Sequence, residues 1–216
     1  MRIIFDKIYL NKHWSFAGDG SGIGSCPSYN KNMRNALTRF VIEHNITTFL
    51  DVPCGSCKWS SIWLEELENE YNYKLYSYFG IDVSSEAIVK SYKNLNKSYA
   101  HITHGDFTTC NLPMDYDLLF CRDALQHLSY YDIWQSLCNF AKCHAKWYVL
   151  GGYWPGQNKD IETGNYFAIN LTRPPFNLVP DKIMSEDNDP NHPQKHFFIF
   201  SRESFLVQIQ DNFFSI

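Results

Sequence analysis

The sequence predicts an α/β fold in which helices cover both faces of a mostly parallel sheet. Short apolar runs alternate along the chain with amphipathic helical patterns, and parallel strands need crossovers that helices usually provide. Hydrophobic residues make up 44% of the 216 residues and aromatic residues 17%, so the chain has enough apolar surface to bury a core. Acidic residues also recur where three successive predicted strands end, at Asp51, Asp82 and Asp106.

The length favours a single domain, residues 1–216, because domains commonly hold ~100–200 residues. Residues 1–26 are predicted to form an N-terminal arm, which includes the glycine-rich segment 18–25. Residues 152–195 lose helical and strand periodicity and are rich in proline. Long segments of this kind in compact domains are usually functional or disordered, and the aromatic residues here favour an ordered cap loop.

The remaining elements follow from apolar periodicity. A helix is predicted to open at Pro27 or Ser28 and to end near Asn45, and Ser84 or Ser85 is the expected N-cap of a later helix. In that later helix the predicted buried face consists of Ile88, Val89, Tyr92 and Leu95. The predicted strands are 47–52, 76–83, 100–104, 117–121, 146–151 and 196–200, with further helices through Trp63 and Leu67, over 129–142 and through Phe205 and Ile209, and an edge strand at 213–216.

Charge and cysteine usage narrow the function class. The chain carries 19 Lys and Arg against 23 Asp and Glu, without a basic run, which argues against a nucleic-acid partner and for a neutral acceptor. Seven irregularly spaced cysteines in a chain of this size favour reduced thiols and a cytoplasmic protein. No apolar stretch approaches the ~18 residues that a membrane span needs.

The strand-end acids predict a nucleoside site. In open parallel sheets, ligands bind beyond the carboxyl ends of the strands, and the first strand-to-helix turn brings backbone close to the ligand. The turn Asp51–Cys57 suits this because Gly55 allows a close approach or a positive φ. Asp82 ends the next strand, where a carboxylate can accept hydrogen bonds from ribose hydroxyls. Asp106 ends the third strand, and Phe107 is placed to pack on a base.

These residues resemble the motifs of class I S-adenosylmethionine-dependent methyltransferases. The motifs are DVPCG, GIDV, GDF and CRDALQHLS. The resemblance is closer to a subgroup that combines an SGxGS arm, DxPCG followed by Trp, CRDxLxHLS and NxDIxTG…NLxxxPFN. In this sequence those elements are Ser21–Ser25, Asp51–Trp59, Cys121–Ser129 and Asn158–Asn177. The first loop departs from the usual DxGxGxG, since Pro53 replaces the first glycine.

The resemblance implies a Rossmann-like, doubly wound sheet and S-adenosyl-L-methionine as cofactor. It also implies that the arm and the first helix close over the cofactor, with Arg34 as a candidate partner for its carboxylate. The residues expected to bind the cofactor are Ser25, Arg34, Asp51, Pro53, Gly55, Trp59, Asp82, Val83, Asp106, Phe107 and Cys121.

Candidate catalytic residues follow the fourth predicted strand. If a helix begins at Asp123, then Asp123 and His127 share a face at four-residue spacing. A hydroxyl acceptor needs its proton removed, and either His127 or Asp123 can serve as the base. The alternative is a core histidine and a helix-capping aspartate. Arg122 is expected to pair with a substrate carboxylate or with Asp123.

The cap supplies the chemistry expected for a polyhydroxylated acceptor. Aromatic faces stack on sugar rings while short polar side chains take the hydroxyls. The predicted acceptor residues are Arg122, Tyr153, Trp154, Asn158 and Asp160. We therefore expect O-methylation of a sugar or glycan. A looser resemblance to glycan-modifying methyltransferase domains of bacterial or large-virus origin implies action together with glycosyltransferases.

Other functions stay open at this point. Cys54 and Cys57 fit a thioredoxin-type dithiol, or a zinc site with Cys138 and Cys143. A nicotinamide-dependent oxidoreductase shares the ribose acid but needs a GxGxxG turn that this sequence lacks. The chain could also methylate another small molecule or a protein, or bind a nucleoside or a partner without catalysis. Whether a divalent metal is used, with Asp123 and Asp160 as oxygen ligands, is left open.

Overall fold

A computed structural model describes residues 1–14, 20, 22–186 and 195–213. Within these residues the helices are α1 (Arg2–Leu10), α2 (Lys31–Glu43), α3 (Lys58–Glu70), α4 (Ser85–Asn94), α5 (Tyr130–Lys142) and α6 (Arg202–Phe213). The strands are β1 (Thr48–Asp51), β2 (Ser77–Asp82), β3 (Ala100–His104), β4 (Leu118–Cys121), β5 (Trp147–Tyr153), β6 (Lys182–Ser185) and β7 (Lys195–Ser201). Short 3-10 helices cover Ile23–Ser25 and Leu125–His127.

The strands form a seven-stranded sheet in the order β3-β2-β1-β4-β5-β7-β6. β1 pairs with β2, β2 with β3 and β4 with β5 in parallel, whereas β7 pairs antiparallel with β5 and with β6. The prediction of a mostly parallel, doubly wound α/β fold is therefore confirmed. β6 lies inside the predicted cap loop and was missed, because its four residues are largely exposed and carry no apolar alternation.

Contacts divide the chain into two compact units, Met1–Asp106 and Phe107–Ile216, here called the N-terminal and C-terminal units. The N-terminal unit holds α1 to α4 with β1 to β3, and the C-terminal unit holds β4 to β7 with α5 and α6. A single domain over 1–216 stays a prediction.

Aromatic packing builds the core of the N-terminal unit. The Phe49 ring lies 4.9 Å from that of Trp63 and stacks on Tyr78 at 5.8 Å between centroids. The indole N–H of Trp63 donates to Thr38 Oγ1 at 3.0 Å, so the buried ring has its polar atom satisfied. Apolar spacing predicts a buried face of Met33, Leu37, Phe40, Val41 and His44 on α2; the first four are buried, whereas His44, at the C-cap, is only half-buried. α2 begins at Lys31, later than predicted.

The buried face of α4 differs from the prediction. Ile88 and Leu95 are buried, but Val89 and Tyr92 are 56% and 60% exposed. The small residue Ser91 takes the buried position instead, and its hydroxyl donates to the Ile88 carbonyl, so a polar residue sits in the stripe without an unpaired group. The prediction followed apolar residues and therefore placed the neighbouring Tyr92 on the buried face, which is wrong.

The C-terminal unit packs α6 on β5 and β7. The rings of Tyr148 and Phe205 stack at 4.0 Å, and Phe200 meets Phe205 edge-on at 5.6 Å. Ser201, whose position before the amphipathic pattern predicts a helix cap, accepts a hydrogen bond from Ser204 N on its Oγ at 3.4 Å and thereby caps α6. Phe213 is helical, which contradicts its place in an edge strand, and residues 214–216 lie outside the described residues.

Candidate functional site

In the N-terminal unit, the carboxylate of Asp51 anchors the turn after β1. Asp51 is 1% exposed, and its Oδ2 accepts a hydrogen bond from the Tyr78 hydroxyl at 2.5 Å. The same hydroxyl lies 3.2 Å from Ser60 Oγ on α3. Burial, together with the charge of Asp51, raises the pKa of Tyr78 well above its usual range, so the phenol stays protonated and keeps donating. The turn is thereby tied to both β2 and α3.

The turn itself crosses the end of β2. Cys54 N donates to the Ile81 carbonyl at 2.9 Å. Gly55 has a φ of +57° and Cys57 a φ of +54°, a region that suits glycine at little cost. This confirms that Gly55 supplies a positive φ. Pro53 and Gly55 are both half-buried, so backbone of this turn reaches the surface next to the strand end.

Asp82, at the end of β2, joins that turn to the start of α4. Its Oδ2 accepts from Gly55 N at 2.9 Å, and its Oδ1 accepts from Ser84 N at 2.8 Å. Burial raises the pKa of Asp82 to about 6, although the two backbone donors act to lower it. A carboxylate offers about four acceptor positions, so further hydroxyl donors can be accommodated.

Asp6 is a site residue that sequence reasoning missed. Its Oδ1 accepts from the Ser84 hydroxyl at 2.9 Å and from Ser85 N at 2.8 Å, which places a negative charge at the first turn of α4. The predicted arm thus contains a helix, α1, that is attached next to Asp82. No local signal links residues 78 positions apart, so this contact could not be found from the pattern.

Arg34 has a protein partner. Its Nε and Nη2 each donate to Glu66 at 2.7 Å, and Nη1 donates to the Pro27 carbonyl at 2.6 Å and to Asn30 Oδ1. The resemblance implies that Arg34 pairs with the carboxylate of the cofactor. In the structure, the carboxylate of Glu66 is the partner of Arg34. The role of Arg34 toward a cofactor stays a prediction.

The other predicted cofactor residues of this unit are near strand ends or in the arm. Trp59 is buried with its ring 5.9 Å from Trp63, and Val83 is buried directly after Asp82. Asp106 is half-buried after β3, and Ser25 is half-buried in the Ile23–Ser25 helix. Ser21 lies outside the described residues. Their roles stay predictions.

The cysteine alternatives receive no support from the N-terminal unit. Burial, followed by its contact with Cys57, raises the pKa of Cys54 well above its usual range, the opposite of what a reactive thiolate needs. Within the described ranges, no cluster of three or more His, Cys, Asp or Glu side chains is arranged to hold a metal ion.

In the C-terminal unit, Asp123 follows β4 and lies among cations. Its Oδ1 is 2.7 Å from Lys195 Nζ, and its Oδ2 is 3.0 Å from Arg122 Nη1. Burial acts to raise the pKa of Asp123, but the positive charges of Arg122 and Lys195 outweigh it and hold that pKa well below its usual range. Arg122 also pairs with the buried Glu186. A carboxylate held in this way is a poor base near neutral pH.

His127 is placed differently from the prediction. Asp123 has a φ of +55° and lies outside the Leu125–His127 helix, so the two side chains do not share a helical face. His127 Nδ1 is 2.9 Å from the Asn165 carbonyl, which fixes the proton on Nδ1 in the neutral ring. Burial lowers the pKa of His127, and Nε2 is then the nitrogen with an acceptor lone pair.

Aromatic rings surround this position. Tyr166 lies 5.7 Å from the His127 ring and meets Tyr153 edge-on at 6.2 Å. Burial, and next the charge of Asp123, raises the pKa of Tyr153 above its usual range, so its hydroxyl stays protonated. Trp154, the next residue, is 40% exposed. The side chains form a polar and aromatic cluster at the carboxyl ends of β4 and β5.

Two predicted acceptor residues hold the backbone of the cap. Asp160 Oδ1 accepts from Ile161 N at 3.0 Å and from N of Tyr130, the first residue of α5, at 2.8 Å, while Ser129 is the N-cap of that helix. Asn158 Nδ2 donates to the carbonyls of Asn170, Arg173 and Pro174. Asn158 Nδ2 and Asp160 Oδ1 are thus engaged by backbone groups, and contact with an acceptor stays a prediction.

Phe107 and Cys121, predicted to bind the cofactor, are buried in the C-terminal unit. The Phe107 ring lies 5.7 Å from Phe140, and its carbonyl accepts from Asn139 Nδ2 at 2.9 Å. Cys121, the last residue of β4, is 1% exposed. The residues that sequence reasoning missed are Gln126, Asn165, Tyr166, Glu186 and Lys195, which come together only because β7 and the cap fold back to the end of β4.

The strand order and the helix placement are those of the class I S-adenosylmethionine-dependent methyltransferase fold. The N-methyltransferase NodS of Bradyrhizobium japonicum WM9, solved with S-adenosyl-L-homocysteine, has a TM-score of 0.65 at 12% identity and covers 91% of this chain and 98% of its own.

Two further solved structures share the fold. Magnesium protoporphyrin IX methyltransferase (ChlM) of Synechocystis PCC 6803, solved with S-adenosylmethionine, has a TM-score of 0.62 at 10% identity and covers 93% of this chain and 95% of its own. The methyltransferase domain of the bacterial protein CtHen1 has a TM-score of 0.59 at 11% identity, covering 80% and 98%.

No protein-family model matches the sequence, and no curated protein does. In the part of the chain that the structure describes, no helix is both long enough and apolar enough to cross a membrane.

Proposed function

We propose that this protein is an S-adenosylmethionine-dependent methyltransferase that modifies a hydroxyl of a sugar or glycan. The observation that carries the proposal is Asp82, a buried carboxylate at the end of β2 that is bonded to the backbone of the turn after β1. Solved neighbours with the same fold contain S-adenosylmethionine or S-adenosyl-L-homocysteine.

The chemistry of Asp82 fits a nucleoside. A carboxylate whose pKa is raised to about 6 by burial is short of hydrogen-bond donors, and two ribose hydroxyls would supply them. Gly55 N donates to Asp82, so the backbone of the turn after β1 lies directly beside this carboxylate. Asp82 and the turn from Asp51 to Gly55 are thus the residues that we assign to the cofactor.

S-adenosylmethionine supplies a methyl group on a sulfonium centre when it is bound. What the protein adds for a hydroxyl acceptor is alignment and a base. We assign the base to His127, because Nε2 has the acceptor lone pair and burial keeps the ring neutral near pH 7. Asp123 is assigned a charge-balancing role, since Arg122 and Lys195 hold it ionised.

Aromatic and polar side chains near His127 support a sugar. Tyr166 and Trp154 are 52% and 40% exposed and offer rings that can pack on the apolar face of a pyranose, while the buried Tyr153 supports Tyr166 edge-on. We further propose that the enzyme acts together with glycosyltransferases. We also propose that it is cytoplasmic, because its seven cysteines are odd in number and irregularly spaced, as is typical of reduced thiols.

The test uses the purified protein, methyl-labelled S-adenosylmethionine and a panel of sugars and sugar nucleotides, read by mass spectrometry. We expect label in a sugar hydroxyl. Parallel titrations with S-adenosyl-L-homocysteine and NAD should show binding of the first alone. Label that enters only protein or RNA would overturn the acceptor, and binding of NAD alone would overturn the cofactor.

A further inference from the structure

A pocket of about 430 Å³ lies in the cap of the C-terminal unit, directly after β5. This volume falls within the range of small-molecule sites, ~300–1,000 Å³. Its lining residues are Pro155, Gly156, Gln157, Asn158, Arg173 and Pro174. Arg173 is the one charged residue among these lining residues, so the pocket, here called the Arg173 pocket, is locally positive in a chain with a net charge of −4.

The walls of the Arg173 pocket are preformed. Asn158 joins its two sides, because Nδ2 donates to the Arg173 carbonyl at 3.2 Å and to the Pro174 carbonyl at 2.8 Å. The Arg173 carbonyl also accepts from Phe176 N and Asn177 N, and Arg173 N donates to the Asn170 carbonyl. The backbone that carries the guanidinium is therefore held before any ligand arrives, which lowers the entropy cost of binding.

Gly156 ties the pocket to the end of β5. A Cβ at Gly156 would lie 2.5 Å from the Ala168 carbonyl oxygen and 3.0 Å from that of Tyr153, so the backbone is closely packed there. Tyr153 belongs to the aromatic cluster near His127. The segment that lines the Arg173 pocket thus continues directly from Tyr153 and packs on the backbone of Ala168.

Four of the six arginines have an acidic partner, whereas Arg173 and Arg39 have none within the described residues, and of these two only Arg173 lines the pocket. Arg34 is paired with Glu66, Arg122 with Glu186, and Arg202 lies 3.5 Å from Asp115. Across residues 1–14, 20, 22–186 and 195–213, no ion pair or hydrogen bond engages the Arg173 side chain. An exposed guanidinium at the wall of a rigid pocket offers a planar fork of N–H donors that matches a carboxylate or a phosphate.

We infer that the Arg173 pocket binds a negatively charged group of the acceptor, so that the acceptor is an acidic or phosphorylated sugar. This inference rests on the proposed function and refines it. The overall composition of the protein predicts a neutral acceptor. At the Arg173 pocket, however, an unpaired guanidinium without acidic lining residues favours a negatively charged group. Carboxylate and phosphate share the chemistry that Arg173 recognises, and the test separates them.

The experiment measures the affinities of glucose, glucuronate and glucose 1-phosphate by calorimetry in the presence of S-adenosyl-L-homocysteine. We expect at least one charged sugar to bind about 10- to 100-fold more tightly than glucose, the gain of a charge-assisted pair. Arg173→Gln should reduce that ratio to about one. Arg173→Lys should restore only part of it, because an ammonium cannot donate as a fork.

Arg39→Gln is the matched control, since Arg39 is also exposed but lies on α2 in the N-terminal unit and is not among the lining residues of the pocket. Arg39→Gln should leave the affinities for all three sugars unchanged. Arg173→Gln and Arg39→Gln should have the melting temperature of the wild type. Equal affinities for neutral and charged sugars, or an equal loss in Arg39→Gln, would overturn the inference. Methyl transfer to neutral sugars alone would also overturn the inference, but it would leave the proposed function intact. Absence of methyl transfer to any sugar would count against the proposed function itself.

Discussion

Two carboxylates that follow parallel strands, Asp82 and Asp123, have opposite pKa shifts. Asp82, in the N-terminal unit, is held by the N–H dipoles of Gly55 and Ser84, and burial raises its pKa to about 6. Asp123, in the C-terminal unit, lies between Arg122 and Lys195, whose charges lower its pKa despite burial. Full opposite charges compensate desolvation where two neutral dipoles do not.

The difference separates the two proposed roles. Asp82 has two backbone N–H donors but no cationic partner, so it is suited to accept further hydrogen bonds from a neutral polyol such as ribose. Asp123 already has its charge balanced, so it is suited to orient its surroundings and is a poor proton acceptor. The base then falls to His127, whose pKa is lowered by burial.

The largest expected effect concerns His127. His127→Asn should lower kcat for methyl transfer by about 10²- to 10⁴-fold, the usual contribution of a general base, and leave S-adenosyl-L-homocysteine affinity unchanged. In the wild type, kcat should rise with pH through the lowered pKa of His127 and then level off, because only the neutral ring accepts a proton.

His101→Asn, at an exposed position on β3, is the control for loss of a histidine. Full activity of His127→Asn would mean that His127 is a core histidine and that the C-terminal unit contains no base at this position.

The next effect concerns Asp82. Asp82→Asn should weaken S-adenosyl-L-homocysteine binding by about 100-fold, since hydrogen bonds to a charged acceptor contribute roughly 1.5–3 kcal/mol each. Titration calorimetry measures this, with Asp115→Asn as the matched control because Asp115 is largely exposed and lies in the other unit. An affinity within twofold of the wild type would refute the assignment of the ribose to Asp82.

Lys195 tests the charge balance around Asp123. Lys195→Met should destabilise the protein by about 3 kcal/mol, because it removes one partner of a mostly buried pair. The double variant Lys195→Met/Asp123→Asn should lose less than the sum of the single variants in urea unfolding. Additive losses would mean that the two groups do not interact in solution.

The sign of the pH effect follows from the lowered pKa of Asp123. Its stabilising contribution is fully present above the unfolded value of ~3.9 and is lost only as pH falls through the much lower folded value. In Lys195→Met the folded pKa should lie closer to the unfolded value, so the contribution should be smaller and its loss should be complete at a higher pH than in the wild type.

The pH dependence of cofactor binding is a smaller and more specific test of Asp82. Ribose donors stabilise the carboxylate form, so S-adenosyl-L-homocysteine affinity should be flat above pH 6 and fall by up to about tenfold per pH unit below it. Asp82→Asn should remove this dependence. A wild-type affinity that is constant from pH 5 to 8 would show that the pKa of Asp82 lies outside this range or that Asp82 does not contact the ligand.

The smallest expected effect concerns Asp6. Asp6→Asn retains an oxygen acceptor for Ser84 and Ser85 but removes a negative charge that helps to raise the pKa of Asp82. The midpoint of the pH dependence should therefore move to lower pH, with a few-fold gain in affinity near pH 5. Glu86→Gln, on the same first turn of α4, is the control. An upward movement of the midpoint would contradict this electrostatic coupling.

Several predictions from the sequence were confirmed because they depend on local chemistry. Alternating strand and helix patterns placed β1, β2 and Asp82, and Gly55 was expected to take a positive φ, which it does. The stripe on α4 was partly wrong, since the buried Ser91 is polar while the apolar Tyr92 is exposed and donates to the Ile102 carbonyl.

The relation between Asp123 and His127 was also wrong. Their four-residue spacing suggests a helical pair, but the positive φ of Asp123 breaks the helix before Leu125. Backbone conformation at one residue decides where a side chain points, and spacing alone does not report it.

By itself, the sequence determined the α/β fold, the strand-end acids and the resemblance to methyltransferases, because periodicity and turn chemistry are written in adjacent residues. Only the tertiary structure decided which of these acids is short of partners and which is neutralised. Lys195 lies 72 residues beyond Asp123, and Asp6 lies 78 residues before Ser84. Charge interactions depend on distance in space and on burial, and neither quantity can be derived from distance along the chain.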